Sequence, residues 1–405
     1  MKTSENKLLK WLKSLGPGII TAALVFGPSK LTITSKLGAL YGYSPLWIVV
    51  VAIFFMAIFT NMATRIGEAS DKSLITIIRQ KWGNIASIAV GIGIFCVATS
   101  FQAGNAIGVG ISLGELYDTS PVPWVIAFTI LGIALLFFRT FYSVLEKTMI
   151  LLIILMLFSF ITTFFLAAPD YGKIATGFVT PNIPAGSEGL LIAFMASCFS
   201  IVGALYQSYL IQERIRINPA LRNEKNDGST GIILLGVMSA IVIICGAAVL
   251  NPKGIQVNSA NDMAKALEPI FGNKASTLFL IGLFGAAFSS LIGNASVGGT
   301  LLSDGLGYGS KFSSTITRGL IAVVMIVGSI IAVAFGKLPL ELIVFAQSVT
   351  IFIVPFIGIC LYLIANDEAI MGEKKNGAFT RIVGAAGLLI IASLAIINIE
   401  ELFFK

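Results

Sequence analysis

Eleven apolar runs, each about 20 residues or longer, constrain this chain more than any other feature of its sequence. They lie near residues 16–38, 45–66, 84–114, 122–140, 145–167, 187–212, 229–250, 275–303, 316–336, 339–364 and 380–398. A helical run of this length spans the hydrocarbon core of a bilayer, where every backbone polar group must be satisfied internally. Only 12% of the 405 residues are charged, where about 25% is usual for a soluble domain. We therefore predict an all-α integral membrane protein with eleven spans.

Lysine and arginine concentrate in every second loop between these runs. Besides the N-terminal segment, they gather in the loops near 65–81, 139–147, 214–225, 311–318 and 374–381. The loops 115–121 and 168–186 are poor in them. Because cytoplasmic loops carry an excess of these residues, we expect a multi-pass protein of the cell (inner) membrane. Its N-terminus would be cytoplasmic and its C-terminus outside. This distribution explains the net charge of +7, so we expect the lipid bilayer and no nucleic acid as a partner.

Two common kinds of membrane chemistry are missing from the sequence. Histidine is absent, which excludes histidine-ligated metals and histidine proton relays. The four cysteines lie inside apolar runs, where they are expected to pack and not to form disulfides: Cys96, Cys198, Cys245 and Cys360. No nucleophile–base pair, metal cluster or pair of carboxylates can be assembled at membrane depth. We therefore expect no enzyme and no catalytic residue.

Two of the runs are interrupted near their middles. The first contains Gly27-Pro28-Ser29-Lys30, and the sixth contains a small polar stretch from Ser197 through Ser200 to Gly203. Proline frees backbone groups that protein, water or a ligand must satisfy, although such clusters can also be packing notches or kinks. Interruptions at matching positions of two halves are typical of inverted repeats with a substrate site at the breaks.

We therefore predict a single transmembrane transport domain over residues 1–405. The first repeat would cover about 16–167 and the second about 187–364, with an extra helix at about 380–398.

Lys30 is the most informative residue of the interrupted first run. It lies 14 positions after Gly16, near mid-membrane, where a lysine costs roughly 2.5–3.5 kcal/mol. Its own run contains no acidic residue, and Asp304 and Glu146 lie near the ends of theirs. Lys30 could snorkel or pair with a distant acid, but an unpaired ammonium facing a cavity would bind an anion. Neutral polar residues at similar depth are Gln102, Asn105, Ser197, Ser200, Gln207, Ser289, Ser290, Asn294 and Gln347.

At this point the sequence resembles a known family. The stretch from Gly16-Pro17-Gly18 through the Gly27–Lys30 motif to Tyr41-Gly42-Tyr43 is similar to the first helix and following loop of the Nramp divalent-metal transporters. Similarity continues in Gln212-Glu213-Arg214 and in Phe345-Ala346-Gln347, and it covers nearly the whole chain. The resemblance implies the LeuT-type fold, a 5+5 inverted repeat with broken helices 1 and 6, plus an eleventh helix.

The same resemblance implies that the family's metal ligands are replaced here. Its metal-binding Asp aligns with Gly27, its Asn with Lys30 and its sixth-helix Met with Ser200, whereas the tenth-helix Gln347 is kept. The positions of its histidines and of its third-helix acids are taken by Val202, Gln207, Gln102 and Asn105. The charge of the first-helix motif thus changes from −1 to +1. A fixed ammonium repels a cation by about 4 kcal/mol per unit charge pair at about 4 Å and an effective dielectric constant near 20.

From this site chemistry we expect a secondary active transporter of a small inorganic or carboxylate anion, with bicarbonate as the first candidate. The expected substrate-binding residues are Gly27, Pro28, Ser29, Lys30, Ser197, Ser200 and Gln347. Anion uptake against an inside-negative potential needs a coupling cation, for which we expect Na⁺. By analogy with the fold, that ion would bind at Ser289 and Ser290.

Other functions remain open. A divalent metal (Mg or Mn) transporter with a remodelled site would require Lys30 to be displaced from the cavity. A neutral amino acid carrier would suit the same fold. From other classes, a channel would need a continuous polar stripe along a pore, and a receptor would not transport at all.

Overall fold

The computed structural model describes residues 16–138, 141–219, 229–257, 273–335 and 340–404. Within these ranges the chain is helical and contains no strand. The helices are, in order, α1 Gly16–Val25, α2 Pro28–Tyr41, α3 Leu46–Ala69, α4 Leu74–Tyr117, α5 Pro121–Leu136, α6 Phe141–Ala167, α7 Tyr171–Val179, α8 Glu188–Cys198, α9 Ile201–Ile217, α10 Ser229–Val249, α11 Asn273–Gly305, α12 Thr315–Phe335, α13 Leu340–Asn366, α14 Glu368–Met371 and α15 Ala378–Phe404.

The apolar helices match the predicted spans. In the part of the chain that the structure describes, eight spans are long and apolar enough to cross a membrane. Two bent helix pairs raise this number to ten if each pair is one span. The shorter apolar helix α5 corresponds to the fourth predicted run. The chain is therefore an all-α, multi-pass membrane protein.

The predicted interruptions lie where the sequence places them. Helix α1 ends at Val25 and α2 begins at Pro28, with a bend of 64° between them. Helix α8 ends at Cys198 and α9 begins at Ile201, where the Ser200 hydroxyl caps the new helix by accepting a bond from the Gly203 amide at 3.2 Å. At both breaks the regular helical hydrogen bonds are interrupted near the middle of the span. Pro28 has no amide hydrogen at the first break, and the Ser200 hydroxyl caps α9 at the second.

Main-chain contacts hold α10 against both halves of the first broken helix. A Cβ on Gly38 of α2 would overlap the Ile243 carbonyl of α10, and a Cβ on Gly231 of α10 would overlap the Gly18 carbonyl of α1. Only glycine permits this approach. Small residues at helix contacts are typical of membrane bundles, where close packing replaces the hydrophobic driving force.

Three of the lysine- and arginine-rich loops meet at one end of the bundle. The Arg65 guanidinium donates to the Lys374 carbonyl at 3.0 Å, and Lys81 forms an ion pair with Asp367. The Gln212 amide donates to the Ser70 carbonyl at 3.0 Å. The loops that precede α4, follow α9 and precede α15 therefore share one face, as their charge predicts.

Loops poor in lysine and arginine meet at the other end. The Tyr41 hydroxyl donates to the Gly186 carbonyl at 2.6 Å, and the Trp47 indole donates to the Asn182 carbonyl at 2.9 Å. These bonds fasten the segment between α6 and α8 to the end of α2 and the start of α3. That segment contains the helix α7, which the sequence interpretation treated as loop. Asp170 caps the start of α7 by accepting bonds from the amides of Gly172 and Lys173.

A buried carboxylate lies at the lysine-rich end. Asp304, near the end of α11, is 1% exposed and accepts a bond from the Tyr209 hydroxyl of α9 at 2.6 Å. Thr76 of α4 donates to its other oxygen at 3.2 Å. Arg79 donates to the Gly305 carbonyl at 2.9 Å and so caps α11. Three helices are thus joined around one acid, which does not reach Lys30.

Candidate functional site

A cavity of about 70 Å³ lies between the two helix breaks. Five of the predicted substrate-binding residues line it: Gly27, Ser29, Lys30, Ser197 and Ser200. Pro28 begins α2 and packs against Gly108 of α4. The side chain of Gln347 lies outside the described residues. The cavity wall is completed by Asn105 of α4 and Asn294 of α11.

Lys30 is in the cavity wall, but its ammonium is directed at a neighbouring helix. The side chain is 2% exposed, and Nζ donates to Cys198 Sγ at 2.9 Å. Nζ also lies 5.9 Å from the ring centres of Phe26 and Phe194. Within the described residues no carboxylate forms an ion pair with it. The aromatic faces and the sulfur therefore take the place of an acidic partner, each ring contributing about 0.5–2 kcal/mol.

Nothing in the sequence pairs Cys198 with Lys30. A cysteine inside an apolar run is ordinarily a packing residue, and Cys245 and Cys360 are buried in that way. Cys198 ends α8, and the break after it turns the chain so that its thiol faces α2. This contact between residues 168 positions apart depends on the tertiary fold.

The two serines predicted to bind a coupling ion lie against the first helix. Ser289 Oγ is 3.2 Å from the Ala23 carbonyl, and Ser290 Oγ is 3.1 Å from Ala23 and 3.2 Å from Leu24. These carbonyls belong to the last turn of α1, where the break removes their regular helical partners. Hydroxyl and carbonyl oxygens thus converge on the end of α1.

A cluster of three side-chain amides borders the cavity. Gln102 Nε2 donates to the Leu291 carbonyl at 2.8 Å. Its Oε1 accepts bonds from Asn294 Nδ2 at 3.2 Å and from Asn105 Nδ2 at 3.4 Å. The sequence marks these residues as polar groups at membrane depth, but their assembly into one cluster requires α4 and α11 to pack together.

Elsewhere in the interior, Gln207 forms a separate contact. Its side-chain oxygen accepts a bond from the Thr21 hydroxyl of α1 at 2.5 Å. This bond joins α9 to α1.

The polar groups of the cavity wall are mostly uncharged, and they stand among apolar side chains such as Val97 and Phe101. Over the described ranges, no three His, Cys, Asp or Glu side chains come together as a metal cluster. A closed site of the structural zinc kind, with four strong protein ligands, is therefore not formed there. Amide, hydroxyl and carbonyl oxygens suit a hard cation that keeps part of its water.

A bundle with two broken helices and a small cavity between the breaks, bordered by a few polar side chains, is typical of a secondary transporter. The model of the family described as natural resistance-associated macrophage protein-like (Nramp) matches residues 18–401. The chain therefore belongs to the Nramp family.

Curated relatives match along nearly the whole chain. The divalent metal cation transporter MntH of Caldanaerobacter subterraneus subsp. tengcongensis is 24% identical, with 97% of this chain and 93% of the relative covered. The protein of the same name from Staphylococcus aureus is 25% identical, with 99% and 93% covered. These relatives are transporters and not enzymes.

Solved structures show the same fold. The Eremococcus coleocola manganese transporter superposes with a TM-score of 0.77 at 18% identity, covering 99% of this chain and 89% of that one. MhsT in complex with L-phenylalanine gives a TM-score of 0.60 at 14% identity, covering 94% and 98%. The LeuT-type fold expected from the resemblance is thereby confirmed.

The expectation of a small anion as the transported partner is wrong. The relatives that match along the chain are named for divalent metal cations, which carry the opposite charge, and nothing supports bicarbonate. The structure supplies the physical reason. That expectation assumed an unpaired ammonium facing the cavity, whereas Lys30 Nζ is bound to Cys198 and flanked by two aromatic rings.

Proposed function

We propose that this protein is an alternating-access transporter of a divalent metal ion, Mg²⁺ or Mn²⁺, with a remodelled site in the cell (inner) membrane. The observation that carries the proposal is the position of the Lys30 ammonium. Because Nζ is engaged by Cys198 at 2.9 Å, the charge that would repel a cation is held at the cavity wall. Family membership over residues 18–401 supports the same cargo.

The ion would be bound by neutral oxygens and by its own water. Ser29, Ser197 and Ser200 would supply hydroxyls, and the end of α1 before Gly27 and Pro28 would supply carbonyls, because Pro28 has no amide hydrogen to bond with that turn. The resemblance aligns Gln347 with a glutamine that can approach the metal, so it stays an expected ligand. Mg²⁺ in particular retains several waters when it binds, so few direct protein ligands are required.

The membrane potential itself favours uptake of such a cargo. Each positive charge moving inward gains about 2.3 kcal/mol per 100 mV, so a divalent ion gains about 4.6 kcal/mol. The need for sodium that an anion would have imposed therefore disappears. The geometry at Ser289 and Ser290 is a separate reason to propose a monovalent coupling cation, Na⁺, since both hydroxyls lie 3.1–3.2 Å from the Ala23 carbonyl.

The orientation that we propose has the loops rich in lysine and arginine in the cytoplasm. Arg65, Lys81 and Gln212 join these loops at one face of the bundle, and α15 begins at that face. The C-terminus would then lie outside.

A second candidate, a neutral amino acid carrier, rests on the starts of α2 and α9, which both border the cavity. Together they could bind the carboxylate of a zwitterion. The cavity of about 70 Å³ would admit only the smallest such substrate.

The test is uptake into proteoliposomes of Mn²⁺, Mg²⁺ and labelled glycine, each with and without a sodium gradient. We expect saturable uptake of a divalent ion that increases with an inside-negative potential. Ser29→Ala should reduce it, whereas Ser35→Ala, a buried serine of the same helix away from the cavity, should not. Uptake of glycine without divalent ions would favour the amino acid carrier and reject the metal proposal.

A further inference from the structure

The residue Asn105 occupies the space into which a side chain at Gly27 would project. A Cβ placed on Gly27 would lie 2.9 Å from Asn105 Oδ1 and 2.9 Å from Ser290 Oγ. Gly27 itself has φ −96° and ψ 179°, an extended conformation that any residue can adopt. The glycine is therefore required by the neighbouring oxygens and not by the backbone. An oxygen from α4 fills the position that a first-helix side chain would otherwise take.

The direction of the Asn105 amide follows from two main-chain carbonyls. The Leu291 carbonyl can only accept, so Gln102 must present Nε2 to it at 2.8 Å and Oε1 to the other side. The Ala98 carbonyl likewise takes Asn294 Nδ2 at 2.6 Å. Gln102 Oε1 then accepts from both asparagines, at 3.2 Å and 3.4 Å. Asn105 must consequently turn Nδ2 toward Gln102 and Oδ1 toward the break.

We infer that Asn105 is the cargo-binding residue that replaces a first-helix side chain at Gly27, and that Gln102 positions it. This assignment rests on the proposed divalent-metal function and adds a ligand from α4 to it. Asn105 is 3% exposed and lines the cavity, so a buried polar side chain borders the space proposed for the ion. An amide oxygen is a hard, neutral ligand of the kind that Mg²⁺ and Mn²⁺ accept.

The role of Gln102 is to keep the acceptor side of Asn105 facing the ion. Partners that orient a metal ligand typically account for 10–100-fold in affinity. Without Gln102, the Asn105 amide could rotate and present Nδ2 to a cation, which would repel it. Gln102 touches no cargo in this arrangement and is a positioning residue.

The first experiment measures Mn²⁺ and Mg²⁺ binding to the purified full chain by calorimetry. Asn105→Leu, similar in size but without the oxygen, should weaken binding by about 10–100-fold. Gln102→Leu should weaken it to a similar extent. Gln102→Glu should weaken it less, because a protonated carboxyl still donates to the Leu291 carbonyl and accepts from both asparagines.

A swap of the oxygen between helices separates ligation from packing. Gly27→Asp alone should destabilise the protein, because its Cβ would meet Asn105 Oδ1 and Ser290 Oγ at 2.9 Å. In the double variant Gly27→Asp with Asn105→Ala, the overlap with Asn105 is removed and only the Ser290 hydroxyl must turn aside, so metal binding should recover well above that of Asn105→Ala alone. If Asn105→Ala lost metal binding only because it misfolds, adding a carboxylate at position 27 would not recover the binding.

The outcomes are distinct. If the unaltered chain binds neither ion, the proposed function fails and the cargo role of Asn105 fails with it. If it binds a divalent ion and Asn105→Leu binds it equally well, the assignment of Asn105 is overturned while the function stands. Failure of the double variant to recover binding, with Asn105→Ala weakened, would reduce Asn105 to a packing residue and also overturn the assignment.

Discussion

The Lys30 ammonium of α2 lies 2.9 Å from the Cys198 sulfur of α8, so one contact joins a half of one broken helix to a half of the other. The contact places a positive charge beside the cavity without directing it into the centre. Phe26 and Phe194 flank the same nitrogen at 5.9 Å. The affinity of the site for a cation therefore depends on how firmly this arrangement is held.

Removing the lysine charge should strengthen metal binding. Lys30→Met retains most of the buried volume and removes the repulsion between the ammonium and a divalent ion. We expect the dissociation constant for Mn²⁺ to fall by about tenfold, or about 1.4 kcal/mol. Calorimetry measures the change, and Lys36→Met in the same helix is the control that should leave it unaltered. Weaker binding by Lys30→Met would mean that the ammonium contributes to the substrate site.

The thiol partner can be tested separately. In Cys198→Ala the ammonium loses its sulfur contact, and we expect the lysine to approach the cavity and to weaken Mn²⁺ binding. Adding Lys30→Met to the same chain should restore the affinity. Cys245→Ala, at another buried cysteine, should have no effect on binding. Equal affinities for the unaltered chain, for Cys198→Ala and for Cys198→Ala with Lys30→Met would contradict the contact.

The close approach of α2 to α10 should make Gly38 intolerant of any side chain. In Gly38→Ala the new Cβ overlaps the Ile243 carbonyl, so the two helices must separate. We expect a loss of about 1–3 kcal/mol in unfolding free energy, measured by thermal denaturation in detergent. Gly319→Ala in α12 is the matched control, because a Cβ there meets no atom within 4 Å. A similar melting temperature for both variants would argue against the contact.

The bond between Tyr209 and Asp304 should stabilise the lysine-rich end of the bundle. Tyr209→Phe removes a 2.6 Å donor from a carboxylate that is 1% exposed. Loss of a partner from a buried acid typically costs about 1–3 kcal/mol. Chemical unfolding should show this decrease, while Tyr117→Phe, at an exposed tyrosine, should be neutral. No difference between the two variants would show that Thr76 alone satisfies Asp304.

The ion pair between Lys81 and Asp367 should give a small acid dependence. The hydrogen bond from Lys81 lowers the pKa of the Asp367 carboxyl below its usual value of 3.8. A lowered pKa in the folded state means that its stabilisation is present above the unfolded pKa and is lost as the pH falls through the folded one. The melting temperatures of the unaltered chain and of Asp367→Asn should therefore differ at pH 6, and the difference should shrink as the pH falls below 3.8. A difference independent of pH would contradict the ion pair.

The sequence was sufficient for the fold because the signals for it are local. The lengths of the apolar runs predicted the spans. Pro28 after Gly27 predicted the first break, and α2 begins at Pro28. The serine-rich stretch at Ser200 did the same for α9. The helix α7 was missed, since a nine-residue amphipathic helix in a polar segment has no strong hydropathy signal.

The site was harder to predict because the charge of the ion that it would bind depends on contacts between residues far apart in the sequence. The presence of Lys30 at membrane depth was evident, but its partner Cys198 lies 168 positions away and carries no formal charge. Counting charges along the first helix therefore suggested an anion. The direction of the Asn105 amide is likewise invisible in the sequence, because it is set by the main-chain carbonyls of Leu291 and Ala98.

Those two carbonyls have a wider consequence for how such sites diverge. A side-chain amide has a donor side and an acceptor side. In a row of hydrogen-bonded amides, the orientation of the first amide therefore fixes the orientation of the next. Leu291 and Ala98 anchor the row in the backbone, which no side-chain substitution can reverse. A transporter built in this way can exchange every charged ligand for neutral ones and still present an electron-rich face to its cargo. The preference for a cation that we propose would thus need no carboxylate at the site.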